Sequence, residues 1–151
     1  MLKNLNTPCL ILDQSKLHNN IRKIKTVISS RKLEFRPHLK TAKCREIAKI
    51  LVKEFGALAM VSTIEEIEQL KGCGISDFLY SVAIIPNKFD RISSNLCNKC
   101  DITVAVDSLF IATALSNYCK ETGNKISAVI ELDLDGHRSG VKPLDHKKLI
   151  E

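Results

Sequence analysis

The chain has 151 residues, 44% hydrophobic and 26% charged, with a mean hydropathy of −0.02. These are globular proportions; they exclude a disordered or collagen-like chain, and no apolar run approaches the ~18–20 residues of a membrane-spanning helix. The net charge of +6 is unevenly placed, with +10 on residues 1–53 and −4 on residues 54–151.

Cys9–Leu12 reads as a short strand. A helix follows from about Ser15 to Ser30, where Leu17, Ile21, Ile24 and Ile28 form one apolar stripe. His18, Arg22, Lys23 and Lys25 fall mostly off that stripe, so much of the N-terminal charge is a solvated helix face. Leu33–His38 reads as a strand and Thr41–Phe55 as a helix that Gly56 closes. Ala57–Ser62 is the next strand. Thr63 and Glu66 form a capping box for a helix ending at the Gly72–Gly74 pair. The cycle continues with a strand at Asp77–Ala83, a short helix at Asn87–Asn95 and a strand at Ile102–Val106. A helix runs from Ser108 to about Thr122, and Gly123 ends it. Ile126–Leu134 reads as the longest strand, before the turn Asp135-Gly-His-Arg-Ser-Gly140. The tail Leu144–Glu151 reads as the start of another helix.

Strict alternation of strand and helix at about 25 residues per unit implies an α/β fold with parallel strands and right-handed crossovers. A (β/α)8 barrel takes about 250 residues. About five units therefore make either a small open domain or the front part of a barrel. With Trp absent and aromatics at 5%, the core must be aliphatic.

Six cysteines stand at positions 9, 44, 73, 97, 100 and 119. The opening stretch reads neither as a secretory signal nor as a transit peptide, so free thiols in a cytoplasmic setting are expected. Cys97-x-x-Cys100 has metal-like or redox-like spacing, yet no second ligand pair stands at comparable spacing for zinc. No metal site is expected within this chain.

Chemistry concentrates at strand ends. In Glu34-Phe-Arg-Pro-His-Leu-Lys40, alternation puts Phe35, Pro37 and Leu39 on one face and Arg36, His38 and Lys40 on the other. Salt bridges to neighbouring strands would account for Arg36 and His38. Lys40 sits at the C-terminal end, where α/β proteins place their sites. Glu131, Asp133 and Asp135 take the same position on the last strand, and Asp107 on the strand before it. A lysine in a poorly hydrated pocket beside other cations loses its proton more readily and can condense with an aldehyde to a Schiff base. That is the chemistry of pyridoxal phosphate enzymes and class I aldolases.

Four stretches now carry a family resemblance. Asn6-Thr-Pro-Cys-Leu-Ile-Leu-Asp13 is similar to the opening TPxLxLD of fold-type III pyridoxal-phosphate enzymes, the alanine-racemase-like barrels. Arg36-Pro-His-Leu-Lys-Thr41 is similar to their RPHxKT, and Val104-Ala-Val-Asp-Ser108 to their VxVDS. The stretch from Glu131 to Val141 is similar to ExDxGxxRxGV. The nearest resemblance is to the D-threonine aldolase and D-serine dehydratase group. The chain departs from it in having Ala42 where that group often has His, and in placing Gly136 three residues after Asp133.

The resemblance implies that residues 1–151 are the N-terminal part of a pyridoxal-phosphate-binding barrel, with the rest of the barrel and a C-terminal β domain absent. It implies that Lys40 bears the cofactor as the catalytic lysine. Arg138 would sit near the cofactor's phenolic oxygen or the substrate carboxylate, with His38, Asp107 and Asp133 also about the cofactor. The full-length parent is expected to be a lyase acting on 3-hydroxy D-amino acids by aldol cleavage or dehydration, with amino-acid racemisation and non-catalytic cofactor carriage as alternatives. The resemblance leaves room for a divalent metal in the parent, its ligands outside this chain, and implies a homodimer. This part alone is expected to be inactive. Nucleic acid is not an expected partner, because the positive charge is partly consumed by Lys40's strand and is not interleaved with aromatics, and no membrane is expected, because no apolar run is long enough to span one.

Overall fold

The computed structural model describes residues 4–97, 99–134 and 136–143. The chain divides into two compact units, residues 1–35 and 36–151. In the first, Asp13 caps helix α1 (Gln14–Ser30) by accepting a hydrogen bond from the Lys16 amide at 3.0 Å. Along the apolar stripe Ile21 is buried, Leu17 and Ile28 are half-buried and Ile24 is exposed. The expected strand at Cys9–Leu12 does not form. Those residues are exposed and carry no strand pairing among the described residues, and strand geometry does not persist without a ladder partner.

The second unit is a four-stranded parallel sheet in the order β1 (Leu58–Val61), β2 (Asp77–Ala83), β3 (Asp101–Val106), β4 (Ser127–Ile130). The connections carry α2 (Arg45–Phe55, before β1), α3 (Ile64–Leu70), α4 (Phe89–Asn95, entered through a 3-10 turn at Pro86–Lys88) and α5 (Leu109–Thr122). The α/β class and the parallel pairing are those expected. β2, β3 and α5 start and stop within a residue of their predicted limits.

Three boundaries differ for physical reasons. The predicted strand Leu33–His38 pairs only at its end, where His38 bridges Met60; Pro37 contributes its carbonyl to the Met60 amide at 2.8 Å but has no N–H to return. The predicted helix from Thr41 starts four residues later. Lys43 takes a left-handed φ of 42° and its amide closes a turn on the Leu39 carbonyl, so Cys44 becomes the N-cap. The predicted last strand stops at Ile130. Beyond the Glu131 amide, which still bonds Val106, the chain pairs with its own return segment at Val141. The predicted helix at Leu144–Glu151 lies outside the described residues.

One face of the sheet is the core. Ala59, Val61, Phe78, Tyr80, Ile102 and Val104 are all at most 1% exposed and pack with Ile64, Ile67, Ile84, Ile92 and Leu115. The Tyr80 hydroxyl, buried with its ring, accepts a hydrogen bond from the Lys88 ammonium at 2.7 Å. The capping box forms in a displaced version: Thr63 accepts from the Glu66 amide, while Glu66 reaches back to the amide of Ser62 rather than Thr63. The other face, through Met60, Leu79 and Val129, is only partly covered, and it carries the cavity.

Candidate functional site

The segment Arg36–Lys40 lies beside β1 and alternates as its sequence requires: Pro37 and Leu39 are buried, Arg36 and His38 half-buried, Lys40 exposed. Arg36 is taken up by structure. Its guanidinium holds both oxygens of Asp77 at 2.8 and 2.9 Å, at the N-terminal ends of the strands. It therefore engages β2's first residue rather than keeping company with Lys40.

His38 is fixed from both sides. Its Nδ1 accepts from the Lys40 amide at 3.3 Å, which leaves the ring proton on Nε2, facing Ser81 Oγ at 3.3 Å and Ser62 Oγ at 3.4 Å. Ser81 in turn donates to the Val61 carbonyl at 2.9 Å, so its oxygen is free to accept from Nε2. This chain of bonds selects the neutral imidazole. Burial and then the Lys40 charge push the His38 pKa down from 6.5, against a smaller upward pull from Glu66. The unfolded chain thus binds the proton more readily than the folded one. His38's contribution to stability is complete above about pH 6.5 and is lost as pH falls through its lower folded midpoint. We expect denaturation at about pH 7.5 and 5.5 to show that loss, and His38→Gln to flatten it. A His38 midpoint above 6.5 by NMR would contradict the assignment.

Ser81 reaches His38 by regular alternation, two residues after Leu79 on the cavity face of β2, and Val82 joins it because β2 is irregular there. The register with β3 runs Tyr80↔Val104 and then Ala83↔Ala105, so extra residues are inserted on β2. Such bulges re-aim side chains. Here Ser81, Val82 and Ala83 all line the same cavity, which regular alternation would forbid.

The far wall is the loop from Glu131 to Val141. Its two ends are tied by Val141 N–H to Glu131 O at 2.8 Å and Asp133 N–H to Val141 O at 3.0 Å. Gly140, at φ 94°, passes so close that a Cβ there would stand 2.7 Å from the Glu131 carbonyl oxygen. Asp133, its side chain 9% exposed, accepts from the His137 amide at 3.0 Å and sits 3.4 Å from that imidazole, so it shapes the turn. Ser139 donates to Glu131 Oε1 at 2.6 Å, while Glu131 Oε2 is buried without a partner among the described residues.

These walls enclose a cavity of about 560 Å³ at the C-terminal ends of the strands, lined by His38, Lys40, Ser62, Ser81, Glu131, Arg138 and Ser139 over a floor of Met60, Leu79, Ala105 and Val129. Of the five candidate residues, His38, Lys40 and Arg138 line it. Asp133 stands behind it in the loop, and Asp107, half-buried after β3, is not among the lining residues. Asp135 lies outside the described residues. Ser62, Ser81 and Ser139 were not candidates from the sequence. Ser62 and Ser81 had a signal: they follow Met60 and Leu79 by two on the inward face, as Lys40 follows His38.

The sequence signature of the alanine racemase N-terminal domain matches residues 12–151. The chain belongs to that family. It is 32% identical over 140 residues to D-threo-3-hydroxyaspartate dehydratase of Delftia sp. (strain HT23), covering 93% of this chain and 37% of that protein. It is 29% identical to D-serine dehydratase of Dictyostelium discoideum, with 94% of this chain and 38% of that one covered. The crystal structure of an alanine racemase-like protein from Idiomarina loihiensis superposes with a TM-score of 0.90 at 36% identity, over 97% of this chain and 39% of that one. The chain thus spans somewhat over a third of the length of the relatives it matches.

Proposed function

We propose that this chain is the N-terminal part of a barrel that binds pyridoxal phosphate through Lys40, and that the full-length parent cleaves or dehydrates 3-hydroxy D-amino acids. The observation that carries the reading is the placement of Lys40 and Arg138 on one cavity at strand C-terminal ends, the position where barrel enzymes hold their ligands. The relatives named above, a hydroxyaspartate dehydratase and a D-serine dehydratase, support the substrate class.

The residues present fit the group. The cavity volume falls within the ~300–1,000 Å³ of small-molecule sites. It offers an exposed amine, a guanidinium for an anionic oxygen, and in Glu131 Oε2 a buried acceptor that awaits a donor. When bound, pyridoxal phosphate supplies an aldehyde for a lysine amine and a ring that withdraws electrons from the substrate's Cα. Lys40 would hold it covalently. Arg138 would bind an anionic oxygen of cofactor or substrate. His38, kept neutral, holds the Lys40 backbone in place by accepting its amide proton. Glu131, pinned by Ser139, would orient a donor on the bound molecule. Asp133 would act through the loop it shapes, and Asp107 follows β3 at the same strand ends.

A divalent metal in the parent would take its ligands elsewhere: among the described residues no three His, Cys, Asp or Glu side chains could hold one. The proposal extends to a homodimer, on the family resemblance alone, and to a cytoplasmic setting, on the free thiols expected from the cysteine pattern.

Borohydride reduction of the full-length protein with pyridoxal phosphate, followed by peptide mapping, tests the reading. The label is expected on Lys40. Lys43 is the rival, and its ammonium lies 3.8 Å from Glu66 beside a different cavity. Label on Lys43, or spread over surface lysines, would overturn the role of Lys40.

A further inference from the structure

Cys97 and Cys100 face each other at the turn that leads into β3. The Cys100 amide donates to the Cys97 carbonyl at 2.9 Å and the Cys97 amide returns the bond at 3.3 Å, which makes the two an antiparallel bridge pair. In such a doubly bonded pair the Cα atoms stand about 5.5 Å apart with both side chains on one face. A disulfide takes Cα separations of about 4.4–6.8 Å. Cys97 is exposed and Cys100 is 8% exposed. Neither thiol belongs to the cavity described above, which opens at the other ends of the strands. Among the described residues no further ligands complete a metal site around them.

We propose that Cys97 and Cys100 are a reversible thiol–disulfide site that reacts with low-molecular-weight disulfides. Cys97, the accessible sulfur, attacks the disulfide RSSR as its thiolate; one S–S bond breaks, an S–S bond to Cys97 forms, and RS⁻ leaves. Cys100 then attacks the Cys97 sulfur and expels the second RS⁻. The two protein thiols are oxidised, RSSR is reduced, and the two thiol protons end on two molecules of RSH. Burial, and next the neighbouring Cys97, push the Cys100 thiol up, which keeps it the resolving partner rather than the entry point. Cys97 is exposed, so a bond to it stays open to attack by free thiol, and the site resets.

The sequence makes the test direct, because Lys99 lies between the two cysteines. The full-length protein is treated with glutathione disulfide, alkylated and cut with trypsin. The expected result is that peptides 92–99 and 100–120 remain covalently joined, with fragmentation placing the link on Cys97 and Cys100 rather than Cys119. Dithiothreitol should separate them. Cys100→Ser should instead retain one glutathione on Cys97, because nothing resolves it. Full alkylation of both cysteines after oxidation would overturn the proposal. So would a stable glutathione on Cys97 in the unmutated protein, or a link from Cys97 to any other cysteine.

Discussion

Lys40→Arg is expected to remove turnover on any amino-acid substrate of the full-length protein, by a factor on the order of 10⁴–10⁶, the scale seen when a covalent nucleophile is deleted. Arginine keeps the charge and much of the length of lysine. Its guanidinium is never deprotonated in water and has no free amine to condense with an aldehyde. The side chain of Lys40 is exposed at the cavity mouth, so the fold should be unchanged within about 0.5 kcal/mol. Steady-state rates, with urea denaturation as the control, separate the two effects. Near-normal turnover in Lys40→Arg would force the covalent role to be abandoned while leaving the fold intact.

Gly140→Ala is expected to be the most damaging single change in the far wall. The backbone there has a φ of 94°, which an L side chain rarely adopts, and the new Cβ would press to 2.7 Å from Glu131 O and 2.9 Å from Asp133 N. Both atoms belong to backbone groups that bond Val141 and close the loop. Neither is the far end of a flexible side chain, so the loop itself must open. Left-handed strain alone costs about 1–2 kcal/mol. A total near 2 kcal/mol, expressed as loss of the ordered loop that presents Arg138 and Ser139, would weaken pyridoxal phosphate binding roughly thirtyfold. Gly56→Ala is the control. Its φ of 96° is equally unfavourable, but nothing lies within 4 Å of the added Cβ and it is not among the cavity's lining residues. It should cost stability and spare binding. Equal binding loss in both variants would show that the effect is general destabilisation.

What could be read from the sequence and what could not divide along a physical line. Features set by neighbouring residues were legible. Ser108 and Gly123 mark the ends of α5 because capping is local. The common orientation of Arg36, His38 and Lys40 follows from strand alternation alone. Features that depend on a distant partner were not. Nothing in Cys9–Leu12 reveals that it lacks a strand partner among the described residues, and nothing in Ile126–Leu134 reveals that Val141 returns to take over the pairing. The bulge in β2 is equally silent, which is why nothing pointed to Val82 as a cavity residue beside Ser81 and Ala83. Asp133 shows the limit of position as a guide: it stands on the segment expected, yet its carboxylate is occupied by His137.

The order of the sheet has a kinetic consequence. Spatial order equals chain order, and each new strand adds beside the one before it, across sequence separations of 19 to 24 residues. No strand must be held open for a later one to insert. Each pairing closes a loop of moderate and nearly constant length, so the entropy cost is met in similar instalments rather than in one late, large step. A chain emerging from the ribosome N-terminus first can therefore build its sheet strand by strand in the order of synthesis. The half-buried inward face that ends in Lys40 and His38 would be among the first surfaces laid down. The sheet edge at β4, with all four residues exposed, is the surface most open to a wrong partner.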